Sequence, residues 1–295
     1  MSTSIGYDHV ATECVCCGCK KFLRSQAVLM PFLAHRVYQW EPAKIDESWG
    51  LNTIPAGNAY ALCNSLLCMK CSLLFLDIRF SNLEIARLYD NYRDERYTQL
   101  RDHYEPGYRA RSVGLTRGGN YRKQVEAFLT PHLPNILKVL DWGGDTGENT
   151  PFKDNPDNTV HIYDISGIKT VGKAIQISKQ AAYQEKYDLI VCSNVLEHVP
   201  YPRQLLIEIK AVMTTSTLLY IEVPLESLIK EYSNDPQLIN KKRHWHEHIN
   251  FFTADSLRAL VTIMGLSLLS FQVQDIISEG KICSQFMLAC ILKDT

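Results

Sequence analysis

The sequence lacks the features that would place it in a membrane, on nucleic acid or outside the cell. No apolar run in its 295 residues approaches the roughly 18 needed to span a bilayer, so no membrane association is expected. The opening MSTSIGYDHVATEC has no apolar stretch of the secretory kind, and a cytoplasmic protein is expected. Neither sign of charge dominates: 31 Lys and Arg face 32 Asp and Glu, and without a basic surplus no nucleic-acid partner is expected. Glycine and proline, at 15 and 12, are too few for a collagenous or low-complexity chain, and no internal repeat is present. What remains, 46% apolar and 21% charged, is globular composition with ample material for a core.

Cysteine is unevenly spread. Seven of the ten (14, 16, 17, 19, 63, 68 and 71) fall in the first 71 residues. In a reducing compartment such clustering points to metal before disulfide. Cys14-Val-Cys-Cys17 and Cys68-Met-Lys-Cys71 each have the C-x₂-C spacing that aims two thiolates at one tetrahedral ion. Two such knuckles complete a four-thiolate Zn²⁺ site, closed to substrate and therefore structural, with residues 20–67 as an excursion between them. Cys16 and Cys19 offer a competing register. Gly18 favours Cys14/Cys17, because a tight knuckle turn wants a residue without a β-carbon just after its second ligand. A set of free thiols is the alternative reading. Cys192, Cys283 and Cys290 lie in apolar stretches and read as small hydrophobes.

Three regions follow along the chain: a zinc-binding module over 1–80, a helical Tyr- and Arg-rich cap over 81–123, and an α/β domain over 124–295. Ser81 followed by Glu84 is a capping box and predicts a helix start. In the cap, Asp90, Asp94, Glu95, Asp102 and Glu105 offset the arginines, which favours a cover over a pocket rather than a nucleic-acid surface. Beyond 124, strands are predicted at 138–141, 160–164, 187–193, 218–223, 267–273 and 285–292, with helices at 203–213 and 254–264. Alternating strands and helices predict a doubly wound, mostly parallel, Rossmann-like sheet.

In such sheets ligands bind beyond the carboxyl ends of the strands, and chemistry-bearing residues gather there. VLDWGGDTG (139–147) is an apolar strand that ends in Asp141 and runs into a glycine turn. Twenty-three residues beyond Asp141, HIYDIS sets Asp164 at the next strand end, where a carboxylate can hold ribose hydroxyls. The G-x-G-x-x-G fingerprint of nicotinamide dinucleotide binding is not matched.

Joined to YDLIVCSNVLEHVPYP at 187–202, this pattern resembles the class I S-adenosylmethionine-dependent methyltransferases over about residues 124–295. The resemblance implies a seven-stranded sheet that binds S-adenosyl-L-methionine. It places Asp141, Gly143, Gly144 and Gly147 along the methionine moiety, Asp164 at the ribose, and Asn194, Leu196 and Glu197-His198 beside the sulfonium and acceptor. Asp145 stands where the family usually has glycine, and no residue after the third strand is identifiable as the adenine marker. The paired C-x₂-C module ahead of such a domain is similar to sugar methyltransferases of deoxysugar and polysaccharide pathways, which implies a small-molecule sugar or nucleotide-sugar acceptor. Their C-methylating members carry a Tyr-His-Glu-His-type segment; this chain has Trp245-His246-Glu247-His248-Ile-Asn250. Trp245 in place of the tyrosine, and an end at Thr295 without the further sugar-binding domain of those enzymes, argue against 4-keto-sugar C-methylation.

Methyl transfer requires a positioned acceptor and, where the acceptor carries a proton, a base. His248 is the expected general base, with Glu247 or Asn250 fixing its tautomer. His246 would point the same way if the segment is extended, and His198 has a comparable claim by position. Two other readings stay open. His246 and His248 could join a carboxylate in a second metal site, or the histidines could be plain loop residues ahead of a helix capped by Thr253. The alternative to an enzyme is a non-catalytic zinc-bearing protein whose nucleotide fold serves as a binding partner.

Overall fold

The computed structural model describes residues 9–50, 56–112, 119–232, 235, 237–278 and 281–293. A seven-stranded sheet runs in the order Leu266–Ser278, Lys281–Lys293, Leu218–Pro224, Leu189–Ser193, Lys138–Trp142, Thr159–Tyr163, Ile175–Gln176. The last five are mutually parallel, and a hairpin of the two longest strands adds antiparallel to Leu218–Pro224. Strand order reverses between Lys138–Trp142 and Leu189–Ser193, which opens a crevice at their carboxyl ends.

Side-chain alternation splits the strands between two cores. Leu140, Trp142, Ile190, Cys192, Leu219 and Ile221 pack against Leu206, Ile209, Leu257 and Leu260 of the helices Pro202–Val212 and Ala254–Ile263. Val139, Leu189, Val191, Leu218 and Tyr220 pack on the other side against Tyr121, Val125 and Leu129 of the helix Gly119–Leu129. Thr253 caps the Ala254–Ile263 helix and Ser81 with Glu84 forms the capping box of Asn82–Tyr89.

The expected alternation of strand and helix fails at two crossovers. Residues 143–158, after the first strand of the crevice, form only turns. Pro151 and Pro156 each lack an N–H and sit among Asn, Asp and Gly, so no helix can propagate there. The strand Ile175–Gln176 is two exposed residues long and carries no hydrophobic periodicity, which is why the sequence does not announce it.

The N-terminal region is not self-contained. Its five-stranded sheet has the order His244–Trp245, Phe22–Leu29, Leu62–Cys68, Leu74–Leu76, Asn250–Phe251, so both edges come from the distant histidine segment. Arg79 locks this junction. Fully buried, it spends all five guanidinium N–H groups: Nε on the Ile78 carbonyl, Nη1 on the Pro200 carbonyl and Asn250 Oδ1, Nη2 on the Leu76 and Ile249 carbonyls. Arg79→Met should strip these acceptors of the guanidinium, leaving the Ile249 carbonyl only its bond from the Leu76 amide, and cost on the order of 3 kcal/mol, read as a drop in Tm. An unchanged Tm would remove Arg79 from this role.

Candidate functional site

At the crevice, the Lys138–Trp142 strand delivers Asp141 into a buried position where its Oδ2 accepts from the Thr150 hydroxyl at 2.6 Å. Burial pushes this carboxyl up to about 7 against that hydrogen bond, and the charges of Asp164 and Glu222 add to the rise. The glycine turn is tight for a reason visible in the packing. A β-carbon on Gly143 (φ +86°) would lie 2.5 Å from Val195, and one on Gly144 2.6 Å from the Asp141 side chain. Such a turn brings bare backbone to the crevice, as a bound nucleoside cofactor requires. Gly147 closes the same turn.

Asp164 follows the neighbouring strand. Its Oδ2 accepts from the Asp145 amide at 2.9 Å and its Oδ1 from the Ser166 amide at 2.8 Å, so it is oriented by the glycine turn itself. Asn194 sits in the left-handed region (φ +55°) and donates through Nδ2 to Glu222 Oε1 at 2.7 Å. Glu222 is a buried hub that also accepts from Tyr121, Tyr220 and Ser193. It was not singled out from sequence, although a lone carboxylate in the apolar run LLYIEVP is the available signal. Leu196, expected beside the cofactor, is instead a fully buried core side chain; only its carbonyl takes part locally, accepting from Asn250 Nδ2.

Two further loops are zipped together: the amides of Ile249 and Asn250 both donate to the Glu197 carbonyl, at 2.7 and 3.0 Å. This juxtaposes His198 and His248, whose rings stand edge to face with centroids 4.6 Å apart. His198 Nδ1 lies 3.2 Å from the Glu247 carbonyl, and His248 Nδ1 lies 2.6 Å from Glu226 Oε1. Glu197, His198 and His248 bring one donor atom each within 4.8 Å of one another. The Tyr89 ring meets His198 at 6.1 Å, and its hydroxyl is buried without a hydrogen-bond partner among the described residues.

The segment does not stay extended, so the expectation that His246 and His248 share a side is corrected. His246 turns to Glu105 of the cap, with Nδ1 3.2 Å from Oε1. Glu247 does not orient His248 either. Its carboxylate is buried against the cap, accepting from the Tyr97 hydroxyl at 2.5 Å and from Arg101 Nη1 at 2.9 Å. Nor does Asn250, whose side chain is spent on Arg79 and the Leu196 and Val199 carbonyls. Glu226, two residues past Pro224, takes that role. The two imidazoles consequently diverge. Burial and the neighbouring His248 hold His198 well below the usual histidine value. Burial opposes charge on His248 too, but the Glu226 hydrogen bond and the charges of Glu197, Glu226 and Glu247 carry it above that value.

The cysteines resolve into one set. Cys14 and Cys71 sulfurs lie 3.6 Å apart, Cys17 and Cys68 sulfurs 3.4 Å apart, and all four are buried within 4.8 Å of one another. Four ligands about 2.3 Å from a tetrahedral Zn²⁺ would sit about 3.8 Å apart, so the donor set fits that ion. Gly18 takes φ +67° after Cys17, while Cys16 faces the core and Cys19 accepts from the Lys21 amide.

A family model described as a methyltransferase domain matches residues 113–270, more than half of the chain. No curated protein matches it. Among solved structures, the 1,6-didemethyltoxoflavin-N1-methyltransferase of Burkholderia thailandensis, with 1,6-didemethyltoxoflavin and S-adenosylhomocysteine bound, is similar at 14% identity and TM-score 0.50, covering 87% of this chain and 100% of that one. A SAM-dependent methyltransferase of Methanosarcina mazei is 17% identical over 56% of this chain and 96% of its own, with TM-score 0.42. Magnesium protoporphyrin IX methyltransferase of Synechocystis, with S-adenosylhomocysteine bound, is 14% identical over 67% of this chain and 99% of its own, with TM-score 0.42. At these identities the likeness is one of fold. No helix among the described residues is long and apolar enough to cross a membrane.

The divergence of the imidazoles is testable by histidine NMR titration. Glu226→Gln removes the carboxylate that favours His248 imidazolium, so His248 should lose its proton at lower pH than in the parent, while His198 stays neutral. A His248 titration that does not move would mean Glu226 is not its partner.

Proposed function

The chain belongs to the methyltransferase-domain family and is an S-adenosylmethionine-dependent methyltransferase; from that premise we propose that it methylates a sugar or nucleotide-sugar acceptor with His248 as general base. The observation that carries this reading is the Glu226–His248 pair at 2.6 Å, set edge to face against His198. Carboxylates and imidazoles converge there with the Tyr89 ring beside them, the polar company that a polyhydroxylated acceptor needs for its hydrogen bonds. When bound, S-adenosylmethionine supplies a methyl group already activated by the sulfonium. Asp141, Gly143, Gly144, Gly147 and Asn194 would cradle it, and Asp164 would meet its ribose.

This chain's own residues supply positioning and a proton site. Glu226 holds His248 Nδ1–H, which leaves Nε2 as the atom that accepts the acceptor's proton. Glu226 also stabilises the imidazolium that results. His198, neutral and anchored at Nδ1 by the Glu247 carbonyl, and Tyr89 position the acceptor. Glu247 and His246 support the cap rather than the proton transfer.

Mass spectrometry of a nucleotide-sugar panel incubated with S-adenosylmethionine should reveal a product heavier by one methyl transfer. His248→Ala should lower turnover about 10²–10⁴-fold with cofactor affinity little changed. Near-normal turnover in that variant, with collapse in His198→Ala, would move the base to His198.

We further infer that Cys14, Cys17, Cys68 and Cys71 hold one structural Zn²⁺. The sulfur spacing supports this, as does the docking of the knuckles on the Thr253 cap, whose hydroxyl donates to the Cys71 carbonyl at 3.3 Å. Cys68→Ser/Cys71→Ser should lose about one equivalent of zinc in elemental analysis and lower stability. Unchanged zinc content would move the ligands elsewhere.

A further inference from the structure

His198 and His248 each have one ring nitrogen spent and one left over. A backbone carbonyl can only accept, so the 3.2 Å contact of His198 Nδ1 with the Glu247 carbonyl puts the proton on Nδ1 and the lone pair on Nε2. The Glu226 carboxylate does the same for His248, accepting from Nδ1 at 2.6 Å and leaving Nε2 as the donor atom. The lone pair of His198 Nε2 then faces Glu197 Oε1 at 3.9 Å, and the Glu197 side chain is only 1% exposed. Two acceptors thus stand opposite each other at a separation too long for a shared proton. It suits a shared cation: donors about 2.0–2.1 Å from one tetrahedral ion lie about 3.4 Å apart, a closure of roughly half an ångström. One donor atom from each of Glu197, His198 and His248 lies within 4.8 Å of the others.

We propose that Glu197, His198 and His248 form a second metal site, apart from the four cysteines, that takes one exchangeable divalent ion of the zinc, cobalt and nickel class. The ligand set selects that class: two imidazoles and one carboxylate suit these ions, whereas magnesium and calcium want oxygen throughout. Both rings have the surroundings of ligating histidines, which give their second N–H to a carbonyl or a carboxylate so that the ring is aimed and its tautomer fixed. The backbone is preorganised as well. The Ile249 and Asn250 amides staple their segment to the Glu197 carbonyl, and Asn250 Nδ2 clamps the Leu196 and Val199 carbonyls on either side of Glu197-His198. Three protein ligands leave a position open, and the His248 side chain, 39% exposed, gives it access to solvent. An ion can therefore enter and leave, unlike one held by four buried thiolates. His198 takes the place that the sequence offered to His246, which is held at Glu105. The site stands on this geometry alone. Its consequence rests on the reading of His248 as base: a bound ion occupies Nε2, the proton-accepting atom, so the loaded protein is an inhibited form.

Cobalt tests the site without any acceptor. Zinc-replete protein, freed of loosely held metal by dialysis, is titrated with Co²⁺ and followed by calorimetry and visible absorption. About one equivalent should bind and give d–d bands without the thiolate-to-cobalt charge transfer that the cysteine cluster would show. Glu226→Gln, which leaves all three ligands in place, should weaken Co²⁺ about 10- to 100-fold. His248→Ala and Glu197→Gln, each lacking a ligand, should weaken it at least as much. His248 is part-exposed, so His248→Ala keeps the test usable should the buried Glu197→Gln fail to fold. No binding, binding with thiolate charge transfer alone, or parental affinity in His248→Ala would overturn the proposal. None of these outcomes touches the base reading, which falls instead if His248→Ala turns over normally in metal-free buffer.

Discussion

The pinning of residues 244–251 at both ends is the constraint on which the site depends. His244 and Trp245 pair in parallel with Val28 and Leu29, and Asn250 and Phe251 pair antiparallel with Phe75 and Leu74, so the intervening turn has nowhere to drift. Trp245 is fully buried and donates Nε1–H to the Ser65 hydroxyl at 2.9 Å. Burying an indole with its N–H satisfied is worth several kcal/mol, so the register of this short strand is strongly specified. Four neighbours are then dealt out in four directions: Trp245 to the core, His246 to Glu105, Glu247 to Tyr97 and Arg101, His248 to Glu226. The meeting of His248 with His198 is a consequence of that distribution.

The same segment binds the cap. Arg101 pairs with Glu247 and Glu105 while its guanidinium stacks over Phe32 and Tyr108, at 5.2 and 4.2 Å. Burial of these charges would be costly alone, but the paired hydrogen bonds and aromatic faces offset it. Tyr97, locked between Phe32 and Tyr92, adds its hydroxyl to Glu247. A carboxylate one residue along the chain from the proposed base is therefore a structural anchor, and its negative charge still helps hold His248 above the ordinary histidine value. The divergence of two touching imidazoles follows from their surroundings: burial and the neighbouring His248 dominate at His198, whereas the Glu226 hydrogen bond and nearby carboxylates outweigh burial at His248.

Much of the cofactor edge is legible in the sequence because it is local. An apolar strand, Asp141 at its end, the glycine turn and Asp164 after the next strand are each announced within a few residues. The same holds for Ser81 with Glu84, and for the C-x₂-C pairs once geometry selects Cys14 and Cys17 over Cys16 and Cys19. What escapes is long-range. Glu226 reaches His248 across 22 residues, Glu247 finds Tyr97 across 150 and Arg93 finds Asp145 across 52, and nothing in the intervening sequence encodes those pairings. Side-chain alternation misplaced His246 because it assumes an extended strand, whereas only His244–Trp245 and Asn250–Phe251 are strand here. Leu196 departs from expectation for the opposite reason: its neighbours Asn194 and Val195 border the glycine turn, but a fully apolar side chain in a strand-end loop is drawn to the core.

Trp245 in place of tyrosine reads, in the sequence, as a hydroxyl missing from the chemistry. In the fold the residue never faces the crevice; its indole belongs to the five-stranded sheet, beside Phe251. The phenol ring beside His198 comes instead from Tyr89, the last residue of the helix Asn82–Tyr89. Strand-end residues such as Asp141 and Asp164 are set by the sheet and by the hydrogen bonds they accept from Thr150, Asp145 and Ser166. Tyr89, held through Tyr92 and Tyr97 to the Glu247 anchor, moves only if the cap moves. The ring beside His198 is thereby tied to cap position, and cap position to the ion pairs of Arg93 with Asp145 and Arg101 with Glu247.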